Sequence, residues 1–262
     1  MWLIHRSGVL GSLLKRQRGR IAVANLYNPV FRCILADMTL PTLAAFEWFP
    51  LILSLKVAAL ATVVALVIGV ALGWLFARRP FPGSGVLEAI CMLPLVLPPT
   101  VIGYAILVAA GRRSPLGAWL REHLDYTLIF SWHGAVAASA VVALPLVLKS
   151  ASSAFAHIDR TMESAASTLR QSPWSVFVRV TLPLAWPGIL AGTLLAFARA
   201  MGEFGASLMV AGSIPGRTQT LSMAIYDAVQ AGQDDLALLL VAVTSLLSVA
   251  ILAASNRYLS VR

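Results

Sequence analysis

Arg199, Glu203 and Ser207 stand at i, i+4 and i+8 in an otherwise apolar stretch. On one continuous helix that spacing puts a guanidinium, a carboxylate and a hydroxyl on a single face. Ionisable groups at membrane depth are costly and default to functional hypotheses. Two readings of Arg199 stand level. It faces a polar pathway together with Thr100, or it pairs with Glu203 to lock helices or subunits, with Gly202 and Gly205 permitting close approach. For Glu203 the locking reading is preferred. Pro94, Pro98 and Pro99 crowd a second apolar stretch. Each removes an N–H donor and clashes with the preceding turn, and in lipid the freed carbonyls must face protein or a wet cavity. Pro98, Pro99 and Thr100 therefore join Arg199, Glu203 and Ser207 as candidate lining of a pathway.

Other chemistry is sparse. The chain has no GxxxxGK[ST] loop to cradle a nucleotide, no nucleophile–base set and no metal-ligand cluster. A membrane enzyme would draw on Glu88, Glu122, His123 and Asp125, which read better as loop polar groups. His133, beside Trp132, reads as an interfacial residue rather than a proton relay. Cys33 and Cys91 have no CxxC spacing, so neither a disulfide framework nor a zinc site follows. No cofactor or metal is expected.

The elements that hold these residues follow from composition. Of 262 residues, 59% are hydrophobic and 12% charged, against about 25% charged in soluble domains. That excludes a soluble globular domain and a disordered chain. A helix crosses a bilayer with ~20 apolar residues. Val57–Ala77, Ala89–Gly111, Tyr126–Leu148 and Leu236–Asn256 contain no Asp, Glu, Lys or Arg. Val180–Ala198 continues past Arg199 and Glu203 into another uncharged stretch. The expectation is an all-α integral membrane protein of about five spans. Gly69 and Gly73 form a small-xxx-small pattern, which reads as helix packing.

Charge sets the expected orientation. One set of loops holds Arg78, Arg79, Lys149, Arg160, Arg170, Arg179, Arg257 and Arg262; the other holds Arg112, Arg113, Arg121 and Arg217. The positive-inside rule places the richer set in the cytoplasm, the N-terminus outside and the C-terminus inside. The net charge of +9 thus reads as topology, with a lipid bilayer and no nucleic acid as partner. Residues 1–47 form a basic N-terminal tail, with residues 48–258 as the transmembrane domain. The first 37 residues, with Arg6, Lys15, Arg16, Arg18, Arg20 and Arg32, break the rule. Either they lie on a membrane surface, or translation starts at Met38 and they are absent from the mature protein, the preferred reading. The basic outer loop Gly111–Gly117 suits an anion, a partner domain or plain solvation.

Residues 150–186 read as a cytoplasmic helix-turn-helix. Asp159 can cap a helix running to about Leu169. Ser172-Pro173 starts a second, an N-cap followed by Pro at the first position. Trp174, Phe177, Val178 and Thr181 then fall on one amphipathic face. Such a projection suits docking to a cytoplasmic partner, or a helix lying flat on the bilayer.

Here the sequence resembles a known family. Ser164-Ala165-Ala166, then Arg170 after three residues, then Val180-Thr181-Leu182-Pro183 after nine more, is similar to the EAA loop of ABC-importer permeases. Ser164 stands where that pattern has an acid, with Glu163 one residue earlier, and Arg170 where it has Gly. An Arg there is strained if φ must be positive. The resemblance implies that Glu163, Ser164, Ala165, Ala166, Arg170, Trp174, Leu182 and Pro183 couple the chain to an ATP-binding subunit. The runs Leu93–Tyr104, Phe197–Ala206 and Ile214–Thr220 resemble the molybdate branch of the molybdate/sulfate permease family, which the chain matches from about Trp48 to its end. The resemblance implies import of molybdate or tungstate by alternating access. It also implies an inner-membrane location, a second copy of the chain, an ATPase on a separate chain and an external oxyanion-binding protein. Sulfate or thiosulfate import is the near alternative. An ion-coupled secondary transporter is the distant one, since such proteins show paired broken helices and the second span has no evident match for its break.

Overall fold

The computed structural model describes residues 47–78, 81–168 and 170–260. The readings of the tail and of a start at Met38 fall on residues outside them. Among the described residues every regular element is a helix. The first, α1 (Trp48–Arg78), is 31 residues long, or ~46 Å at 1.5 Å per residue. Then come α2 (Ser84–Val96), α3 (Pro99–Ala110), α4 (Pro115–Leu124), α5 (Trp132–Ala156) and α6 (Arg160–Thr168). A short α7 (Pro173–Val176) passes through a π turn (Phe177–Thr181) into α8 (Leu182–Met201). The chain closes with α9 (Gly205–Ala211), α10 (Leu221–Gln230) and α11 (Asp234–Ser260). By length and apolar composition α1, α5, Pro173–Met201 and α11 can each cross a bilayer, and α2 with α3, bent by 116°, forms either a broken fifth span or a re-entrant loop. The all-α class is what the fold shows, with four to five candidate spans where about five are expected.

Helix α5 is the hub, flanked by α1 and α8. The seam is alanine-rich, with Ala58, Ala61, Ala65, Ala140, Ala143, Ala196 and Ala200 buried together. Small residues let backbones approach where lipid supplies no hydrophobic drive. Gly69 and Gly73 belong to this seam. A Cβ at Gly69 would lie 2.9 Å from Val147 Cβ, and one at Gly73 2.9 Å from Ala151 Cβ.

Both ends of the third span differ from the sequence reading, whereas the second span breaks at its prolines as that reading expects. The third span begins at Trp132 rather than Tyr126, because Ser131 Oγ accepts the Gly134 N–H and caps the helix there. It also runs on past Lys149 to Ala156. In the second span Pro94 lies inside α2, and the chain breaks at Leu97–Pro98, bending by 116°. Leu97 is extended, ψ 143°, as the residue before a proline prefers. Pro99 then starts α3 at a position where the missing N–H costs nothing.

Candidate functional site

Two places gather the candidate residues. The first is the α6–α7 turn. Asp159 Oδ1 accepts the Thr161 N–H at 2.9 Å and starts α6. That bond, with a further contribution from the Thr161 hydroxyl, holds the Asp159 carboxyl below the usual carboxylate range. Ser172 Oγ accepts the Ser175 N–H at 3.2 Å and starts α7. Between them Arg170 takes φ 57°, the left-handed turn that a glycine would adopt without strain.

Glu163 is the knot of this region. Its Oε1 accepts from Arg78 Nη2 at 2.9 Å and from Thr181 Oγ1 at 2.7 Å. Arg78 Nη2 also reaches the Ile158 carbonyl at 3.3 Å. One carboxylate thus ties α6 to the end of α1 and to the π turn ahead of α8. Phe177 anchors the same turn, edge-on to Trp74 of α1 and beside the buried Phe155 of α5. The expected single amphipathic face is split. Phe177 and Thr181 turn inward, whereas Trp174 (73% exposed) and Val178 turn outward. Trp174 nevertheless stacks on Phe177, ring centroids 5.6 Å apart; the π turn changes the register only from Phe177 onward, and Pro183, which offers Arg179 no N–H, sits just after it. Trp174, Met162, Ser164 and Ala165 stand exposed on this end, with Ala166 and Leu182 half-buried and Pro183 exposed.

The second place is a meeting of two helix breaks. Helix α8 stops at Met201, and α9 starts at Gly205. Arg199 Nη1 donates to Glu203 Oε2 at 2.6 Å, and Glu203 Oε1 accepts the Ala206 N–H at 2.9 Å. Glu203 is therefore the side-chain cap of α9, with its own charge balanced by Arg199. Its side chain is 1% exposed and that of Arg199 34%. Ser207 is consequently not on the helix of Arg199. It lies on α9 and meets Ser139 of α5 at 3.3 Å in the interior, so the expected three-residue stripe on one helix face does not form.

The start of α9 lies against the start of α3. A Cβ at Gly205 would stand 3.2 Å from Pro99 Cβ and 3.4 Å from Thr100 Cγ2; one at Gly103 would stand 2.7 Å from Met209 Cβ. The two half-helices thus run side by side in the same direction, and their positive ends converge. Thr100 and Pro98 are exposed there and Pro99 is half-buried. The break at Gly202–Phe204 interrupts what the spacing reads as one continuous helix. Its signal was the pair Gly202 and Gly205 around an acid at a capping distance from Ala206. Beyond α9, Thr218 bonds the Gly212 carbonyl and the Ile214 N–H, while Ser213 and Gln219 both donate to Asp227. These bonds fold the 212–220 segment against α10.

Among the described residues no group of three or more His, Cys, Asp or Glu side chains could hold a metal ion. The architecture is that of a multi-span helical membrane protein with an exposed helix pair at one end and two half-helices packed side by side. The bacterial ABC transporter that imports alginate has a chain of the same fold, with TM-score 0.67 at 15% identity over 98% of this chain and 96% of that one. That likeness shows the fold alone. Residues 69–262 match the family of binding-protein-dependent transport system inner membrane components, and the chain belongs to that family. It is 46% identical over 184 residues to the molybdenum transport system permease protein of Escherichia coli K12, across 70% of this chain and 80% of that protein. It is also 46% identical over 178 residues to the corresponding protein of Haemophilus influenzae, across 68% and 78%.

Proposed function

We propose that this chain is the membrane permease subunit of an ATP-driven importer that carries molybdate, and tungstate of the same charge and shape, across the inner membrane by alternating access. The likeness to two molybdenum permease proteins carries the choice of cargo. The exposed α6–α7 end supports the coupling role. In this reading a separate chain hydrolyses ATP, two copies of this chain form the pathway, and an external binding protein delivers the oxyanion. The N-terminus lies outside and the C-terminus inside, with residues 48–258 as the permease domain.

The coupling surface consists of Glu163, Ser164, Ala165, Ala166, Arg170, Trp174, Leu182 and Pro183. An ATPase subunit holding Trp174 moves α6 and α7 together. Glu163 passes the displacement to α1 through Arg78. Residues Pro173–Met201 pass it along ~43 Å of nearly continuous helix to the break at Gly202–Phe204. There the start of α3 lies against α9, so one rigid rod links the ATPase face to the junction of the half-helices.

A bare dianion in a bilayer core would cost tens of kcal/mol, so the path must replace its water. Pro98, Pro99, Thr100, Arg199, Glu203 and Ser207 are assigned to the pathway region in two roles. Thr100, with the positive end of α3, and the exposed part of the Arg199 fork face the anion. Glu203 and Ser207 hold the frame, Glu203 by capping α9 and Ser207 through Ser139.

Co-purification tests the class. The full chain is expected to retain an ATP-binding subunit through detergent extraction, and Trp174→Glu is expected to lose it while the helical content stays unchanged. Retention by Trp174→Glu would remove the α7 surface from the interface. ATP-independent, ion-gradient-driven uptake would replace the importer by a secondary transporter.

A further inference from the structure

A cavity of about 990 Å³ opens where α3 meets α4, at the Trp132 end of α5. The Glu163 knot lies beyond the other end of α5, a helix of 25 residues and so ~37 Å long. The cavity is lined by Arg112 and Arg113 from the α3–α4 turn and by Arg217 from the turn after α9. No Asp or Glu among the described residues lines it. None of the three guanidiniums has an ion pair or a side-chain hydrogen bond among the described residues. Helix α4 begins at its wall, with Ser114 as cap and no acid in its first turn, so the positive end of that helix adds to the same field. Thr127 supplies a further hydroxyl, and Tyr104, Leu107 and Phe130 supply apolar walls.

Three like charges from two separate segments, gathered round one concavity without a counter-charge, repel one another unless an anion is present. Guanidinium forks suit tetrahedral oxyanions because paired N–H groups match paired oxygens. We infer that this cavity is an outer holding site for the tetrahedral oxyanion, occupied between its release from the binding protein and its entry into the membrane path. Arg112, Arg113 and Arg217 are its ligands. The site is open to water and therefore exchanges quickly and weakens with salt. The inference rests on the oxyanion reading of the cargo. Docking of an acidic protein surface is the competing use of the same charges; the concave form and the helix start favour the small anion.

The test is equilibrium dialysis of labelled inorganic molybdate against the complete transporter in lipid nanodiscs, without binding protein. The wild type is expected to retain molybdate saturably, less at high ionic strength. The triple variant Arg112→Gln, Arg113→Gln, Arg217→Gln is expected to lose about tenfold or more in affinity. Arg113→Gln and Arg217→Gln alone, in different segments, are expected to lose about threefold each, so the result does not depend on the triple variant folding. No retention by the wild type, or retention unchanged in the variants, overturns the site. So does unchanged molybdate retention accompanied by weaker capture of the binding protein, which would make the face a docking surface. The cargo reading is separated by uptake in the same preparation reconstituted into vesicles with ATP and binding protein. Uptake without retention overturns the holding site alone. Retention lost in the variants, with no uptake by the wild type, upholds the anion site and overturns the cargo reading.

Discussion

Removing the Glu163 carboxylate should uncouple this chain from its ATPase without unfolding it. Glu163 Oε1 accepts two hydrogen bonds, from Arg78 at 2.9 Å and Thr181 at 2.7 Å. The Arg78 side chain is 9% exposed and that of Glu163 24%, so water screens this pair less than a surface one. A hydrogen bond to a charged group contributes about 1.5–3 kcal/mol. Among the described residues Arg78 Nε is buried without a partner, which leaves Nη2 and its bonds as the anchor of that side chain. Glu163→Ala should therefore weaken the attachment of α6 by about 2–3 kcal/mol, enough to shift a local docking equilibrium by more than tenfold. Glu163→Gln keeps an acceptor for Thr181 and should cost roughly half as much. Molybdate imported per ATP hydrolysed, measured in vesicles, reads the effect. It should fall about tenfold for Glu163→Ala, with ATP hydrolysis by the assembled complex within about twofold of wild type. Arg78→Met should cost less on top of Glu163→Ala than in the wild type, because the shared interaction is already gone and only the bond to the Ile158 carbonyl remains to be lost. A wild-type coupling ratio in Glu163→Ala would refute the knot as a transmission element.

The remaining predictions concern the second site and the turn. Glu203→Gln should lower thermal stability by about 2–4 kcal/mol, since it strips Arg199 of its counter-charge and weakens a helix cap; a melting temperature equal to wild type would contradict the capping role. Arg199→Gln should assemble but import slowly, and wild-type uptake with normal assembly would remove Arg199 from the mechanism. Arg170→Gly should stabilise the α6–α7 turn by about 0.5–1 kcal/mol, because φ 57° is strained for an L side chain; a lower melting temperature would contradict this. Asp159 binds its proton more weakly when folded. Its contribution is full above the ordinary carboxylate range and fades as pH falls through the lower folded value. Amide protection factors in α6, exchange rates divided into the intrinsic rate at each pH, should thus be steady from neutral pH downward and fall only below the carboxylate range, with Asp159→Asn abolishing that dependence.

Much of this was visible in the residues because membrane length and helix caps are local signals. The uncharged runs located the spans, Ser172-Pro173 and Asp159 located the starts of α7 and α6, and the small residues at 69 and 73 foretold the α1–α5 seam. The strain at Arg170 was also legible, since a resemblance that places Gly there implies a left-handed turn. What escaped was set by tertiary contact. The α8 break carries no proline, so Arg199 and Glu203 read as neighbours on one helix, whereas Glu203 leaves the helix to cap the next one. Burial likewise sets the exposed Trp174 and Val178 apart from Phe177 and Thr181, although simple periodicity groups all four. The Glu163 knot joins residues 85 and 18 positions apart, and no short-range pattern announces it.

The most direct measurement is uptake of labelled molybdate into vesicles holding this chain, an ATPase subunit and an oxyanion-binding protein, with excess sulfate present. ATP-dependent uptake that survives sulfate is the expected result. Uptake abolished by sulfate would move the cargo to the sulfate branch, and uptake indifferent to ATP would contradict the coupling role of the α6–α7 end.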